Sequence, residues 1–277
     1  MSAPHTEQSM RNGGGSEAAV DTLTKEIARR KRNILIGRLV LGVVFLGFWE
    51  LGSGTLFNTF WMSKPSLIFQ RIFEMTLDGD LWFHLAATLK EIVIGLTIGM
   101  AGGVILAIVL SYSGIFQHWI EPYILALFSL PKASLAPLFV IWFGIGLLSK
   151  VLMVVMMVVF VVFYNIYQGI KSIDPNLTDM MKTFRAKPVK WLQWVILPAL
   201  STWIINCLRI SIGNATVGAV IAEMIGASRG VGYYITYSSS TLDTTGTFAG
   251  LTIIMVVALG LGQLVGLLEK KVVGHKS

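Results

Sequence analysis

Six long apolar runs, separated by short polar intervals, dominate the chain from residue 34 onward. A run of about 20 apolar residues is long enough to cross a lipid bilayer as a helix. Only 13% of the residues are charged, whereas soluble domains average about 25%. The sequence therefore predicts an all-α fold, a polytopic membrane helix bundle with about six transmembrane helices.

The distribution of Lys and Arg predicts the orientation of this bundle, because positive residues favour the cytoplasmic flanks of spans. The apolar runs predict spans at about 34–51, 88–110, 122–143, 150–167, 198–221 and 248–268. One set of flanks then carries 14 Lys and Arg, and the other set carries five, which are Lys64, Arg71, Lys90, Lys150 and Arg229. We expect the first set, and both termini, to be cytoplasmic.

The composition divides the chain into four parts. Residues 1–33 are polar and end in a basic cluster, which predicts a largely disordered cytoplasmic tail. Residues 34–64 hold the first transmembrane helix and an external segment, 65–270 the transmembrane domain, and 271–277 a cytoplasmic tail. Apolar residues at helical spacing behind Pro65 predict an amphipathic helix, and the Gly- and Ser-rich segment 222–247 has room for a short re-entrant helix.

Three glycines recur every four residues in the second span: Gly95, Gly99 and Gly103. Small residues at this spacing lie on one helix face and let two helices approach closely in a membrane. The pattern favours tight packing against another span over a merely Gly-rich helix.

Two prolines, Pro131 and Pro137, interrupt the third span around Lys132 and Ser134. A proline frees backbone carbonyls, and a charge at membrane depth is costly unless it faces a cavity or a partner. Two interpretations remain open: Lys132 and Ser134 line a translocation path, or the helix is kinked and its lysine is structural.

The fifth span is the most polar, and its polar side chains are candidates for a translocation path. Arg209 lies deep in this span and either attracts an anion or pairs with a structural acceptor. Glu223 is expected near the external mouth. The candidates are Asn206, Arg209, Asn214, Thr216 and Glu223.

The polar interval 174–200 combines apolar and basic residues. Asp174 before Pro175 is a typical helix start, and Pro188 can open a second short helix. With a bend at 184–187, the sequence predicts two short amphipathic helices outside the membrane. Apolar side chains inside a basic rim suit docking to another protein, although an ordinary loop between helices is the alternative.

This interval resembles the loop by which ABC importer permeases grip their ATPase. The family pattern is Glu-Ala-Ala, three residues, Gly, nine residues, Ile-x-Leu-Pro. Here the acidic place is Asp179, the glycine place is Arg185, and Leu197-Pro198 close the pattern at the same spacing. The resemblance implies an ATPase-coupling loop at 171–197 whose contact residues are Asp179, Met180, Met181, Phe184, Arg185, Lys187, Leu197 and Pro198.

This loop departs from the family pattern at its bend. Glycine tolerates a left-handed backbone there at no steric cost, and Arg185 does not. Lys187 stands where the family often has a Ser or Thr cap. One hypothesis is that these two basic residues pair with acidic residues of a dedicated ATPase.

Three further stretches resemble the nitrate/sulfonate/taurine/bicarbonate-type branch of these permeases: SLPKASLAPLFVIWFGIGLLSK at 129–150, AEMIGASRGVGYYI at 222–235 and LWFHLAATLKEIVIGLTIG at 81–99. The resemblance implies a permease subunit in the bacterial plasma (inner) membrane. Such permeases act as a homodimer or a pair, with two cytoplasmic ATPase subunits and an external (periplasmic) solute-binding protein.

The sequence offers little for other functions. It has no Gly-x4-Gly-Lys-Ser/Thr phosphate loop, so ATP and Mg are expected on the partner subunit and no cofactor on this chain. His and the single Cys207 form no metal motif, and basic residues do not alternate with aromatics as nucleic-acid binding requires. A stand-alone secondary transporter or channel remains an alternative, and a membrane enzyme is disfavoured.

Lys132, Arg209 and the branch resemblance favour a small anion of the sulfonate, nitrate, taurine or carboxylate type as the solute. Permeases of this branch also resemble carriers of neutral nitrogen heterocycles, so that solute class is the alternative.

Overall fold

A computed structural model of the chain describes residues 6–111, 114–184 and 188–273. Within them, five helices are long and apolar enough to cross a membrane, or six if one bent pair counts as a single span. The helices are α1 Thr6–Gly52, α2 Pro65–Asp78, α3 Asp80–Ser111, α4 Gly114–Ser129, a 3₁₀ turn Lys132–Leu135, α5 Ala136–Phe143, α6 Leu147–Lys171, α7 Pro175–Thr183, α8 Pro188–Trp191, a π-helical turn Leu192–Ile196, α9 Leu197–Gly226, α10 Val231–Ser240 and α11 Thr244–Val273.

Residues 1–66 form one unit and residues 67–277 another. In the first unit, the segment after α1 folds back onto the end of that helix. Trp49 Nε1 donates a 3.0 Å hydrogen bond to the carbonyl of Ser63. The Glu50 carboxylate accepts hydrogen bonds from the backbone N–H (2.9 Å) and the hydroxyl (2.7 Å) of Ser66. Since the first N–H groups of a helix lack internal partners, Glu50 stabilises the start of α2.

Helix α1 begins at Thr6, within the segment 1–33 for which composition predicts a largely disordered tail. Residues 17–32 are mostly Ala, Glu, Lys and Arg, which are good helix formers. Once the apolar run has formed a helix, adding each further turn is favourable because nucleation has already occurred. The helix therefore extends beyond the membrane-length run.

In the second unit, α3, α6 and α9 form the core. Helices α3 and α6 run parallel in close contact along the predicted glycine stripe. A Cβ at Gly99 would lie 2.8 Å from Val158 Cβ, and one at Gly103 would lie 2.6 Å from Val162 Cβ, while Gly95 meets Val154 in the same way. These distances are shorter than real Cβ contacts, so only glycine permits this approach of α3 to α6.

Helix α9 packs antiparallel to α6. Gly218 lies against Met157 near one end of the pair, and Gly169 lies against Trp203 and Leu200 near the other. The two ends of the bundle are named here by the short helices they carry. The α10 end holds the starts of α3 and α6 and the end of α9, and the α7 end holds their opposite termini.

The segment 114–143 carries the chain across the bundle in two pieces. Because α3 and α6 run parallel, the chain between them must return from the α7 end to the α10 end. The pieces Pro122–Ser129 and Lys132–Phe143 are bent by 80° at the intervening Leu130 and Pro131. The third span, which the sequence predicted to be interrupted by prolines, is a broken crossing, and the break lies at Pro131, which removes a helical donor.

Helix α2 packs at the α10 end of the second unit. Met75 of α2 is buried together with Val231 and Ile235 of α10 and Ile253 of α11. The amphipathic helix that the spacing predicted thus lies against the bundle, and α10 is the short helix for which the segment 222–247 left room.

Candidate functional site

The α7 end exposes several large apolar side chains on α7, directly after α7 and on the π-helical turn. Phe184 is 74% exposed and Trp194 is 65% exposed. Lys190 Nζ lies 5.3 Å from the centre of the Trp194 ring. Exposed aromatic and apolar side chains beside basic groups make a surface that suits docking to a protein partner. We call the set Leu177, Met180, Phe184 and Trp194 the apolar patch.

The segment that carries this patch is anchored in the core. Ile196 and Leu200 are fully buried in the cluster formed by α3, α6 and α9. The π-helical turn is closed by a hydrogen bond from the Leu197 N–H to the Leu192 carbonyl. π-Helical turns are rare and occur frequently at functional sites. A force on the patch would therefore reach the start of α9 through buried side chains.

The structure places the predicted loop residues as two short helices. Asp174 Oδ1 accepts a 2.8 Å hydrogen bond from the Asn176 N–H, and α8 begins at Pro188, as the sequence predicts. Met181 is buried, unlike Met180, and Leu197 and Pro198 open α9. Arg185 and Lys187 lie outside the described residues. Asp179 lies in α7, and its side chain is likewise not among those described.

A buried charge cluster lies at the α10 end. Glu91 of α3 forms an ion pair with Lys150 of α6, and Glu223 of α9 is the neighbour of Glu91. Glu91 and Glu223 are each 1% exposed and Lys150 is 6% exposed. Buried charges are costly unless they are paired. The cluster therefore ties the three core helices together at the point where all of them reach this end.

The same cluster holds the start of α10. Glu223 accepts hydrogen bonds of 2.7 Å from the Thr88 hydroxyl and 2.7 Å from the Gly232 N–H. The Thr88 oxygen in turn accepts a 2.9 Å hydrogen bond from the Val231 N–H, and His84 Nδ1 accepts one of 3.1 Å from the Gly230 N–H. The first N–H groups of α10 are thereby satisfied by side chains from α3 and α9. We call Thr88, Glu223 and the backbone of 230–232 the α10 latch.

The sequence alone did not single out Thr88, Glu91 or Lys150 as site residues, and it did not indicate that Glu223 belongs to a buried cluster. A signal was present: Glu91 and Lys150 have opposite charges and stand near the starts of two spans that run in the same direction. Charges within spans usually pair with one another.

Lys132 and Ser134 lie at the break of the crossing segment. Lys132 Nζ donates a 2.8 Å hydrogen bond to the Phe128 carbonyl and lies 4.6 Å from the centre of the Phe128 ring and 5.7 Å from that of Phe160. The Ser134 hydroxyl donates to the Pro131 carbonyl at 2.7 Å. Both side chains thus satisfy carbonyls that the break has freed, a geometry that favours the structural interpretation of Lys132.

The polar residues of α9 lie on two faces. Thr216 is buried, and its hydroxyl donates to the Ile212 carbonyl of the same helix at 2.9 Å. Asn206 and Arg209 are exposed on the surface of the single chain, and Asn214 is partly exposed. Gly213, between them, has no heavy atom within 4 Å of a Cβ built on it. No other described helix of the second unit therefore covers the face of α9 that carries Asn206, Arg209 and Asn214, which we call the open stripe. Glu223 lies on the buried face and belongs to the α10 latch.

One further ion pair lies outside the membrane-length helices. Arg71 Nη1 of α2 donates a 2.5 Å hydrogen bond to Asp243 Oδ2, and Asp243 Oδ1 accepts one of 2.9 Å from the Gly246 N–H at the start of α11. Burial acts to raise the pKa of Asp243, but these two donors outweigh it, and the pKa lies below its usual value. The hydrogen bonds to Asp243 and Tyr234 raise the pKa of Arg71.

No group of three or more His, Cys, Asp or Glu side chains with metal-site geometry occurs among the described residues. The lone Cys207 is buried.

Comparison with known proteins identifies relatives over most of the chain. An aliphatic sulfonates transport permease protein of Bacillus subtilis (strain 168) is 31% identical to this chain over 244 residues, which cover 87% of this chain and 88% of that protein. The formylaminopyrimidine transport permease protein of Halalkalibacterium halodurans is 28% identical over 218 residues, covering 78% of this chain and 86% of the relative. The chain thus spans most of the length of both proteins.

The fold is also that of a solved transporter. The crystal structure of an amino acid ABC transporter with histidines matches with a TM-score of 0.56 at 20% identity, covering 72% of this chain and 96% of that one. A family model for the binding-protein-dependent transport system inner membrane component matches residues 99–274, which include the core helices α6 and α9 and the apolar patch. The chain therefore belongs to the family of binding-protein-dependent transport system inner membrane components, the permease subunits of ABC importers.

Proposed function

We propose that the apolar patch is the surface through which two cytoplasmic ATPase subunits drive this permease. The observation that carries this proposal is the contrast within one segment: Phe184 and Trp194 are exposed, while Ile196 and Leu200 a few residues on are fully buried. ATP and Mg are bound by the ATPase. Its closure displaces the patch, and the buried anchor transmits the movement to α9.

Substitution of Phe184 tests this surface. Aromatic anchors at interfaces contribute about 2 kcal/mol or more, so Phe184→Ala should weaken binding of the ATPase about thirtyfold. Co-purification of the complex from membranes measures the effect. Phe73→Ala is the matched control, because Phe73 is also an exposed phenylalanine (63%) but lies on α2. The assignment is contradicted if both variants lose the same amount of co-purified ATPase, or if neither variant loses any.

We infer that the α7 end and both termini are cytoplasmic. The flanks of the spans on this side carry 14 Lys and Arg residues and the flanks on the opposite side carry five, and this excess of positive charge supports the orientation. Cysteine labelling checks it: Ser239→Cys on α10 should react with a membrane-impermeant reagent in intact cells, while Thr183→Cys at the end of α7 should react only after permeabilisation.

We infer further that the permease works as a pair, a homodimer or a pair of related chains. The open stripe of α9 supports this. Asn206 and Arg209 have no place facing lipid tails, because polar side chains at membrane depth face a bundle interior or a water-filled cavity. A second permease against this stripe would enclose a path between the two copies of α9. Disulfide formation across the pair by Gly213→Cys, in membranes, tests the arrangement.

The proposed solute is a small anion handed over by an external solute-binding protein. The sulfonate permease relative supports this choice. The formylaminopyrimidine relative supports the alternative, a neutral nitrogen heterocycle. ATP-dependent uptake by the complex reconstituted with its ATPase and binding protein decides between them. Uptake by the purified chain without nucleotide would instead identify a stand-alone transporter.

A further inference from the structure

A cavity of about 330 Å³ opens at the α10 end between α3, α6 and the segment after α9. This volume lies at the lower end of the ~300–1,000 Å³ range of small-ligand sites. Its wall includes three basic residues and one acidic residue, which gives the lining a net charge of +2. The charged lining residues are Lys90, Glu91, Lys150 and Arg229.

The basic residues differ in how firmly they are held. Lys150 is 6% exposed and is fixed by its ion pair with Glu91. An ammonium group has three N–H donors. Among the described residues, Lys150 forms one ion pair, with Glu91, and it also interacts electrostatically with Glu223. Donors of a nearly buried ammonium therefore remain unused at the wall of a cavity. Lys90 and Arg229 are exposed at its rim.

This arrangement suits an oxyanion. A nearly buried, ion-paired ammonium at the floor supplies fixed donors, and two exposed cations at the rim raise the local concentration of anions. The neighbouring Glu91 pairs with Lys150, and the lining keeps its net positive charge. Glu223 is engaged by Thr88 and Gly232 in the α10 latch, so it does not compete for Lys150 through those oxygens.

We propose that this cavity is an entry site for a small soluble oxyanion, of the sulfonate or carboxylate type, with Lys150 as its floor and Lys90 and Arg229 as its rim. The proposal rests on the proposed import function and gives it a receiving site at the α10 end, in place of Lys132. The phosphate of an anionic lipid has the same chemistry, and the test separates the two sources.

A cysteine at Ser228 reports on the site directly, because Ser228 is exposed and lines the cavity. The full chain with Ser228→Cys is placed in nanodiscs of phosphatidylcholine, and its rate of modification is measured with 2-sulfonatoethyl and with 2-aminoethyl methanethiosulfonate. Cys207 is fully buried, so the wild-type chain serves as the blank. Ser239→Cys, exposed on α10 outside the cavity, is the matched control.

We expect the anionic reagent to modify Ser228→Cys about tenfold faster than the cationic one, the low end of the effect of focused charge on encounter rates. Ethanesulfonate should slow this modification in a saturable way, and ethylammonium should not. Arg229→Gln and Lys90→Gln, which change exposed residues, should each reduce the preference and the protection. Ser239→Cys should show neither.

Equal rates with both reagents, or no protection by ethanesulfonate, overturn the proposal. The proposal is also overturned if modification of Ser228→Cys slows when phosphatidylglycerol is added to the nanodisc but not when ethanesulfonate is added. The site would then bind a lipid headgroup. The assay uses neither ATPase nor binding protein. A complex that fails to import any solute therefore contradicts the proposed function, while this measurement separately decides the site.

Discussion

Thr88 Oγ1 donates a 2.7 Å hydrogen bond to Glu223 Oε1, joining two residues that lie 135 positions apart in the sequence. The same Thr88 oxygen accepts the Val231 N–H. One hydroxyl therefore connects α3, α9 and the first turn of α10, and it does so in a fully buried position.

Thr88→Val removes this connection while keeping the shape of the side chain. It leaves a buried carboxylate oxygen and a buried N–H without their partner, which costs about 1–3 kcal/mol each. We expect a lower midpoint of thermal unfolding for the purified chain in detergent, and Thr88→Ser should restore it. Thr97→Val is the control, because the Thr97 hydroxyl donates only within α3, to the Val93 carbonyl. A similar loss in both variants would show that the latch adds nothing.

The ion pair between Glu91 and Lys150 predicts a non-additive response. Lys150→Met leaves Glu91 buried without its counter-charge, and breaking a buried pair in this way costs about 3–5 kcal/mol. Replacing both residues, by Glu91→Leu and Lys150→Met together, removes the uncompensated charge and should recover much of that loss. Thermal unfolding of the two single variants and the double variant gives a double-mutant cycle. Lys90→Met, which replaces an exposed lysine next to Glu91, is the control. Additive losses would contradict the pairing.

The glycine stripe predicts a graded response along α3. A Cβ at Gly99 would lie 2.8 Å from Val158 Cβ, whereas one at Gly102 would lie 3.5 Å from Val159 Cγ2, an ordinary contact. Gly99→Ala should therefore destabilise the chain by about 1–3 kcal/mol through overpacking. Gly102→Ala should be neutral or stabilising, because alanine is the better helix former. Unfolding midpoints of the two variants in the same detergent measure the difference.

Comparing Gly230 with Gly79 separates the cost of backbone strain from the cost of a steric clash. The φ of Gly230 is +121°, and a Cβ there would overlap the Glu223 carboxylate, whereas Gly79, with φ of +86°, has no heavy atom within 4 Å of its Cβ position. Gly79→Ala should cost about 1–2 kcal/mol, the penalty of left-handed backbone. Gly230→Ala should cost clearly more, since it also displaces the latch. Unfolding midpoints compare them, and equal losses would mean that the latch yields without cost.

The Arg71 and Asp243 pair predicts a dependence on acid. The folded-state pKa of Asp243 lies below its usual 3.8, so the carboxylate contributes stability that is complete above about pH 4 and is lost as pH falls through the folded pKa. Because Arg71 and Asp243 are partly exposed, the effect should be at most about 1 kcal/mol. The difference in unfolding midpoint between wild type and Asp243→Asn should be constant from pH 5 to 7 and shrink below pH 4. A difference that grows in acid would contradict the assignment.

The sequence by itself determined the membrane class, an all-helical bundle of about six apolar segments, the two short helices behind Asp174 and Pro188, and the family. These features depend on local properties: apolar length, helix-start residues and a fixed motif spacing. It also indicated that Gly95, Gly99 and Gly103 share a helix face, because that relation is set by the helical period alone.

Only the tertiary structure decided what those faces meet. The placement of α3, α6, α9 and the broken crossing decides which side chains meet. It brings Glu91 to Lys150, Thr88 to Glu223, and Lys132 to the Phe128 carbonyl. Such placement is a sum of many packing contacts between residues distant in sequence, and no single residue records it. For that reason the charge cluster and the cavity beside it became visible only in three dimensions.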